Sequence, residues 1–296
     1  MRVLVTGASG TVGSALVPAL AAAGHQVVRL VRRAPHSPDE AAWHPTGAAE
    51  PQAFEGADAV VHLAGENIAG GRWSAQRKSD IRSSRVLGTR TVAKSIAEAA
   101  RPPQVLVSAS AIGYYGNRGN EVLTEQSPPG SSFLADLCRE WESETETAAA
   151  AGTRVVRLRM GVVLSSRGGA LAKMLTPFRM GVGGRIGSGH QWWSWISIDD
   201  VIGLITRALI EDTLRGAVNA VSPNPVTNAE FTRILGSVLR RPTVFPIPEF
   251  VVRAAFGQMG EEVLLASQRV QPVAAIAAGF RFRYPELKPA LEHLLG

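Results

Sequence analysis

The sequence has 296 residues, of which 45% are hydrophobic and 19% charged, a globular composition that excludes intrinsic disorder. No apolar run reaches the roughly 18 residues that a membrane helix needs, and a single cysteine excludes an internal disulfide and a thiolate zinc site. The net charge of +6 comes from arginines scattered among apolar segments, which predicts a mildly basic surface. We therefore expect a cytoplasmic protein with a small anionic ligand, and without a nucleic-acid partner, a membrane partner or a metal.

The first 110 residues alternate short β-branched runs with longer stretches of helical character. This pattern is typical of a parallel sheet built from strand–helix–strand crossover units. A further helical stretch and another β-branched run continue it. In chain order we expect strands at 2–6, 26–31, 57–63, 104–108 and 154–158, and helices at 11–23, 79–100 and 133–151.

The first strand runs directly into a glycine-rich turn that opens the first helix. Gly7 allows the tight turn, Gly10 lets a pyrophosphate approach the backbone, and Gly13 lets helix and strand pack closely. The helix N-terminus also offers free N–H groups to phosphates. The glycine spacing alone is a weak signal, but its place between strand and helix favours a dinucleotide site over a structural turn. The predicted contacts are Gly7, Ser9, Gly10, Thr11, Val12 and Gly13.

The end of the second strand predicts which dinucleotide binds. An NAD site carries a carboxylate about 20 residues after the glycines, where it binds the ribose 2′-hydroxyl. Here Arg32 and Arg33 follow Val31, and no carboxylate precedes Asp39. Because a guanidinium at this position pairs with the 2′-phosphate of NADP, we predict NADP(H), held at its adenosine end by Val31, Arg32 and Arg33. Ordinary surface arginines at a strand end are the alternative.

Beyond about residue 165, glycine pairs and a tryptophan-rich segment replace the regular alternation. The predicted fold class is α/β, a Rossmann-type doubly wound parallel sheet with a smaller C-terminal substrate-binding region. We place the dinucleotide-binding domain at 1–165 and the C-terminal module at 166–296. Elements near 196–221 are expected to return to the sheet of the first domain.

Six further segments carry a family likeness: 62–68 (HLAGENI), 108–116 (SASAIGYYG), 168–171 (GGAL), 188–196 (SGHQWWSWI), 267–270 (SQRV) and 279–282 (GFRF). With the glycine turn they resemble the extended short-chain dehydrogenase/reductase superfamily, and more closely its atypical branch of NAD(P)-dependent epimerase-family proteins. The likeness covers essentially the whole chain. It includes the terminal module of that branch.

The resemblance implies further cofactor contacts. In that superfamily, the residues after the strand matching 57–63 pass under the adenosine and ribose, which implies contacts from Leu63, Ala64 and Gly65. The resemblance also places Asp80, Arg85 and Val162 at the cofactor, and a surface pair on one helix is the alternative for Asp80 and Arg85. Glu66 and Ser108 complete the predicted cofactor contacts.

Ordinary members of the superfamily use a serine, a tyrosine and a lysine one helical turn further on. Ser110 matches the serine, but Phe133 and Leu137 stand at the positions of the tyrosine and lysine. Ser110 alone can polarise a carbonyl, although a serine at a strand end is also a routine loop residue. The one literal Y-x-x-x-K, at 284–288, lies about 150 residues from the expected helix and reads as the start of a packed terminal helix.

Two tyrosines near Ser110 are the best replacement for the missing proton donor. Tyr114 and Tyr115 follow it by four and five residues, in the loop that borders the substrate pocket in the superfamily. An aromatic packing role is equally compatible with their positions. Glu66 and Asn67 offer a carboxylate and an amide directly after the cofactor strand, with a solvated loop pair as the alternative.

The second half of the chain is expected to close over the nicotinamide. Arg185 offers an anion contact, Gln191 lies in the tryptophan-rich segment, and Trp192 and Trp193 are placed to stack on a planar or sugar-ring substrate. Core packing of the tryptophans is the competing interpretation. Trp195, which alternates with Trp193, is expected to face inward.

Two functions are compatible with this pattern. The first is an NADP-dependent oxidoreductase or epimerase that acts on a small carbonyl or sugar-like substrate. The second is a protein that binds NADP(H) as a sensor or docks a partner without turnover, because the Tyr/Lys pair is missing. We expect a monomer or a homodimer in either case.

Overall fold

The computed structural model describes residues 1–47 and 51–296. The strands are β1 (Arg2–Thr6), β2 (Gln26–Val31), β3 (Glu40–Ala42), β4 (Ala59–His62), β5 (Val105–Ala111), β6 (Val122–Leu123), β7 (Arg154–Met160), β8 (Val162–Ser165), β9 (Trp192–Trp193), β10 (Trp195–Ser197), β11 (Gly216–Ala220), β12 (Val226–Thr227) and β13 (Arg269–Val270). The helices are α1 (Gly13–Ala22), α2 (Pro51–Phe54), α3 (Ala75–Glu98), α4 (Phe133–Ser143), α5 (Glu146–Ala150), α6 (Gly169–Arg179), α7 (Ile198–Ile210), α8 (Asn228–Leu239), α9 (Glu249–Phe256), α10 (Val273–Ala277) and α11 (Leu287–Leu295).

Seven parallel strands form the main sheet, in the order β11-β7-β5-β4-β1-β2-β3. The strand order reverses next to β1, and β1 carries the glycine turn at its carboxyl end. Such a switch point is where open α/β sheets bind ligands. The predicted α/β doubly wound fold is confirmed. The edge strand β11 pairs with β7, so a segment from beyond residue 165 completes this sheet.

Both faces of the sheet are covered because its strands are apolar on both sides. Val3 and Val5 point to the face covered by α1 and α7, where Leu16 and Ile205 are fully buried. Leu4 points to the opposite face and packs with side chains of α3 and α5. The central strands are therefore fixed from both sides, and so are the loops that follow their carboxyl ends.

The structure divides the helix that the sequence predicts over 133–151. Two helices replace it, α4 and α5, with the break at Glu144–Thr145. The buried Thr145 hydroxyl donates to the Glu142 carbonyl at 2.6 Å. A threonine hydroxyl that bonds back to a carbonyl three residues earlier competes with the helical ladder, which accounts for the break.

The helix predicted over 79–100 begins earlier, at Ala75. The Ser74 side chain accepts a hydrogen bond from the Arg77 N–H at 3.1 Å and so caps the helix N-terminus. The apolar side of helix α3 packs on the sheet through Val92 and Ile96.

A second apolar core lies beyond the sheet. It combines β8, β9 and β10 with α6, α8 and α11, and Trp195 is completely buried in it, as expected. Asp200, in α7, ties the C-terminal segment to that helix. Its carboxylate accepts hydrogen bonds from the Arg283 N–H at 2.6 Å and the Tyr284 N–H at 3.1 Å. Within residues 1–47 and 51–296, no helix has the length and apolar character needed to cross a membrane.

Candidate functional site

The glycine turn packs so closely that two of its residues have no room for a side chain. A Cβ on Gly7, whose φ is +67°, would lie 2.7 Å from the Leu63 carbonyl carbon, and a Cβ on Gly13 would lie 2.2 Å from the Gly7 oxygen. Gly10 differs, because only the Gly7 oxygen, at 3.3 Å, lies within 4 Å of its Cβ position. The turn therefore presents an open backbone surface at Gly10, Ser9 and Thr11 beside the start of α1, which fits a pyrophosphate.

A buried histidine fixes the loop that faces this turn. His62 Nδ1 lies 2.7 Å from the Thr6 hydroxyl and its Nε2 lies 3.0 Å from the Thr89 hydroxyl. Thr6 Oγ1 in turn accepts from the Leu63 and Ala64 N–H groups at 3.1 and 3.2 Å. Burial lowers the pKa of His62 to about 4, with a smaller effect of the Arg85 charge in the same direction. The neutral imidazole thus holds the carboxyl ends of β1 and β4 together.

Arg32 and Arg33 occupy different environments after β2. Arg33 makes a bidentate ion pair with Glu40, with both distances 2.8 Å. The Glu40 side chain is only 3% exposed, and the hydrogen bonds from Arg33 and from the His36 N–H lower its pKa to about 2. Arg32 is exposed and has no partner within the described residues. The sequence alone did not place a carboxylate near these arginines. The structure brings Glu40 to Arg33 from the neighbouring strand β3.

Arg85 lies beside the loop after β4. A Cβ on Gly65 would lie 3.2 Å from the centre of the Arg85 guanidinium, which also sits 5.1 Å from the ring centroid of Trp141. Burial lowers the pKa of Arg85 to about 10. No carboxylate pairs with Arg85 in the part of the chain that the structure describes. Asp80 accepts from Gln76 on the exposed side of α3, so Asp80 and Arg85 do not form a pair.

Ser110 belongs to a buried network of charged side chains. Its hydroxyl donates to Glu142 at 2.6 Å, and Glu142 makes a bidentate ion pair with Arg159 at 2.8 Å. Ser110 is 1% exposed. A hydroxyl proton that is already donated to a buried carboxylate is not available to a substrate carbonyl, so in this arrangement Ser110 orients Glu142.

The two tyrosines after β5 also differ. Tyr115 is completely buried, and its hydroxyl donates to Asn219 at 2.7 Å and accepts from Arg159 at 3.1 Å. Burial raises the pKa of Tyr115. Tyr114 is half-buried, and the Arg159 guanidinium lies 3.4 Å from its ring centroid. Its hydroxyl makes no hydrogen bond within the described residues, so Tyr114 is the phenol that is free to meet a ligand.

The positions of the missing catalytic pair lie in an apolar cluster. Phe133 contacts Trp73 edge to face at 5.2 Å, and Leu137 is 1% exposed among Ile81 and Met259. Trp73 comes from the loop after β4, while Met259 comes from the C-terminal region. The two positions that the resemblance assigns to the tyrosine and the lysine are therefore packed by apolar side chains from three parts of the chain.

The four predicted substrate residues are distributed over different surroundings. Gln191 is buried and donates to the Ile186 carbonyl at 3.0 Å, and Trp193 is buried against Phe231. Neither side chain is accessible to a substrate. Trp192 is half-buried, donates from its indole N–H to Asn120 at 3.0 Å, and has the Arg269 guanidinium over its ring at 4.4 Å. Arg185 is exposed and donates to the Ser188 carbonyl at 3.1 Å.

The remaining predicted cofactor residues lie at the carboxyl edge of the sheet or next to it. Glu66 donates its N–H to Ser84 at 3.1 Å, and its carboxylate faces Arg77 at 3.4 Å. Val162 begins β8, and Ser108 is buried in β5 opposite His62. No group of three or more potential metal ligands occurs among residues 1–47 and 51–296.

Three buried residues of the network were not identified from the sequence. Glu142 resembles its neighbours Glu140 and Glu144, which are on the helix surface side, so nothing in the sequence separates it. Arg159 did carry a signal, because a charged residue in a buried parallel strand needs a partner. Asn219 lies in the edge strand β11, and its partner Tyr115 is more than 100 residues away in sequence.

Residues 3–220 match the model of the NAD dependent epimerase/dehydratase family. The chain belongs to this family. Residues 247–294 match a second model, Domain of unknown function (DUF1731). The predicted kinship with epimerase-family proteins that carry their own terminal module is confirmed.

Full-length relatives support this membership. The chain is 45% identical over 290 residues to an epimerase family protein of Mycobacterium bovis, with 98% of this chain and 96% of that protein covered. It is 40% identical over 298 residues to the human epimerase family protein SDR39U1, with 100% of both chains covered. The crystal structure of that human protein (isoform 2) with NADPH superposes with a TM-score of 0.92, at 38% identity and 99% coverage of each chain.

Proposed function

We propose that this chain binds NADP(H) and acts as an oxidoreductase or epimerase on a small carbonyl or sugar-like substrate, without the usual Tyr/Lys pair. The glycine turn carries the cofactor assignment, because Gly7 and Gly13 leave no room for a Cβ, while the Cβ position of Gly10 has a single neighbour, the Gly7 oxygen at 3.3 Å. NADPH in the crystal structure of the human relative supports it. When bound, the cofactor supplies or accepts a hydride.

The two arginines after β2 have separate tasks at the adenosine end. Glu40 holds Arg33 by a bidentate ion pair, so Arg33 gives the loop a fixed shape and its charge is balanced. Arg32 has no partner in the described chain and supplies the cation for the 2′-phosphate. Arg85 faces the part of the cofactor common to NAD and NADP, since it lies against Gly65 in the loop after β4.

Titration with NADPH and NADH, followed by tryptophan fluorescence, tests this assignment. Arg32→Gln should weaken NADPH binding by about ten- to a hundredfold relative to NADH, the effect of one hydrogen bond to a charged group. Arg85→Gln should weaken both dinucleotides by a similar factor. The matched control Arg101→Gln, at an exposed site after α3, should change neither. An unchanged NADPH-to-NADH ratio in Arg32→Gln would refute the 2′-phosphate assignment.

Tyr114 is the proton donor or acceptor in this proposal. Its hydroxyl is free of partners in the described chain, whereas Ser110 and Tyr115 are committed to Glu142 and Asn219. The Arg159 guanidinium lies 3.4 Å from the Tyr114 ring centroid and so holds the ring in place. In a carbonyl panel that detects NADPH oxidation, Tyr114→Phe should abolish turnover and leave NADPH affinity unchanged. Full activity in Tyr114→Phe would remove Tyr114 from the reaction.

The second candidate is a protein that senses NADP(H) or docks a partner without turnover. The apolar cluster around Phe133 and Leu137 favours it, because this cluster replaces the acid–base pair by packed side chains. NADPH binding without oxidation by any carbonyl in the panel would support sensing. It would contradict the enzymatic proposal while leaving the cofactor assignment intact.

A further inference from the structure

The excess positive charge of the chain is concentrated in two segments. Residues 166–198 and 231–248 together contain seven basic residues and no aspartate or glutamate, whereas the net charge of the whole chain is +6. The rest of the chain is therefore close to neutral. The excess therefore comes from six arginines and one lysine in one part of the fold, while the other basic residues of the chain are balanced by its acids.

The two segments lie side by side. Gly184 bridges to Val244, and Ile186 bridges to Ile247. The Ile247 N–H donates to the Arg185 carbonyl at 2.8 Å, and the Gly187 N–H donates to the Ile247 carbonyl at 2.8 Å. These backbone bonds form one continuous surface from the loop after α6 and the segment that leads into α9.

Large apolar side chains project from this surface. Met180, Val244 and Phe250 each leave 71% of their surface exposed, and Phe245 leaves 58% exposed. Val182 is exposed next to Met180. Single exposed apolar residues are normal, but a group on two adjoining segments marks an interaction site. We call this group, together with Arg179, Arg185, Arg240 and Arg241, the basic apolar surface.

Its arginines are not neutralised within the protein. Arg179, Arg240 and Arg241 are exposed and have no carboxylate partner in residues 1–47 and 51–296. Arg185 donates only to the Ser188 carbonyl. The first acid after this stretch, Glu249, already pairs with Arg253 at 3.3 Å. The complementary partner is therefore negatively charged and also accepts apolar side chains.

We infer that the basic apolar surface docks on an anionic lipid bilayer. Projecting apolar side chains enter the boundary between headgroups and acyl chains, while flanking arginines meet the anionic headgroups. A second copy of this chain fits less well, because self-contact would bring the unpaired arginines of both copies together. A nucleic acid supplies the negative charge but has no apolar region to cover Met180, Val182 and Val244. These three side chains also lack the aromatic faces on which bases stack. This inference does not depend on the proposed function.

Sedimentation of the full chain with vesicles tests the inference. We expect binding to phosphatidylcholine vesicles that contain phosphatidylglycerol, weaker binding to pure phosphatidylcholine, and release by salt. Phe245→Ser and Phe250→Ser should each lower the partition coefficient by about tenfold. Arg179→Gln with Arg241→Gln should lower it by about 25-fold, at about fivefold for each arginine.

Matched variants elsewhere on the surface serve as controls. Val273→Ser with Ile276→Ser changes two exposed apolar residues of α10, and Arg101→Gln with Arg281→Gln removes the same charge. Both double variants should bind vesicles like the wild type, and thermal melting should show that every variant is folded.

Four outcomes would overturn the inference. One is no sedimentation with anionic vesicles at low salt, and another is an equal loss of binding in the control variants. The third is a dimer in analytical ultracentrifugation that Phe245→Ser dissociates, which would assign the surface to a second copy. Binding of an oligonucleotide in place of the vesicles, lost in the double arginine variant, would assign it to nucleic acid and count equally against the inference.

Discussion

Acidification should destabilise this protein through one buried side chain, His62. The imidazole has no exposed surface, and both of its nitrogens lie within hydrogen-bond distance of threonine hydroxyls, Thr6 and Thr89. Burial opposes the charged form and lowers the pKa of His62 to about 4. In the unfolded chain the same group has an ordinary pKa of about 6.5.

The size and sign of the effect follow from linkage. The stability contributed by the neutral imidazole is complete above pH of about 6.5 and is lost as the pH falls towards 4, because only the unfolded chain takes up a proton in that interval. A difference of about 2.5 pH units at about 1.4 kcal/mol each amounts to roughly 3 kcal/mol. Because His62 fixes Thr6 and the loop from Leu63, the affinity of the folded protein for NADPH should decline only below about pH 4, where folded His62 also takes up the proton.

Urea unfolding at a series of pH values between 7 and 4 measures this effect. Carboxylates also titrate in that range, so the quantity to compare is the difference between the wild type and His62→Asn, which cannot take up the proton. The wild type should lose roughly 3 kcal/mol more than His62→Asn. His36→Gln, which alters an exposed histidine, should retain the wild-type profile. Parallel curves for the wild type and His62→Asn would refute the reasoning.

Three further substitutions follow from the packing of the site. Gly13→Ala should destabilise the fold by about 3 kcal/mol in urea unfolding, since its Cβ would lie 2.2 Å from the Gly7 oxygen. Gly10→Ala is the control, because its Cβ would meet the same oxygen only at 3.3 Å and should cost much less. Glu142→Gln should lower the free energy of unfolding by about 3–5 kcal/mol, because it breaks a buried ion pair; a change below about 1 kcal/mol would contradict that role. Leu137→Lys should lower the melting temperature without creating turnover, because the ammonium would be buried in an apolar cluster at a site that is 1% exposed. A gain in turnover would contradict the structural role of this cluster.

The main sheet was predictable because its signals are local. Each strand is a short β-branched run, and the glycine turn is recognisable where β1 ends and α1 begins. Boundaries were less accurate where a side chain acts on the backbone. The hydroxyl of Thr145 ends α4, and Ser74 starts α3. Serine and threonine favour helix ends, but each of these segments contains several of them, so residue type alone does not select the one that acts.

The polar interior of the site was not predictable, because its contacts join distant parts of the chain. Ser110 was recognised from its position after a strand, but its partner Glu142 is 32 residues further along. Arg33 was assigned a phosphate, while Glu40 reaches it only because β3 lies parallel to β2. Such pairings are fixed by strand order and register, which no local pattern specifies.

The charges around Leu137 disfavour a lysine at this position. Arg85 projects from α3 towards α4, where its guanidinium lies over Trp141, one helical turn from Leu137. A lysine at 137 would add a second cation to this buried interface, and two like charges repel strongly where water is excluded. Arg159 is balanced by Glu142, whereas Arg85 contacts no carboxylate in the described chain and, with its pKa at about 10, remains charged at neutral pH. The buried cation beside Gly65 therefore comes from α3, and an apolar residue at 137 keeps a second cation out of this interface.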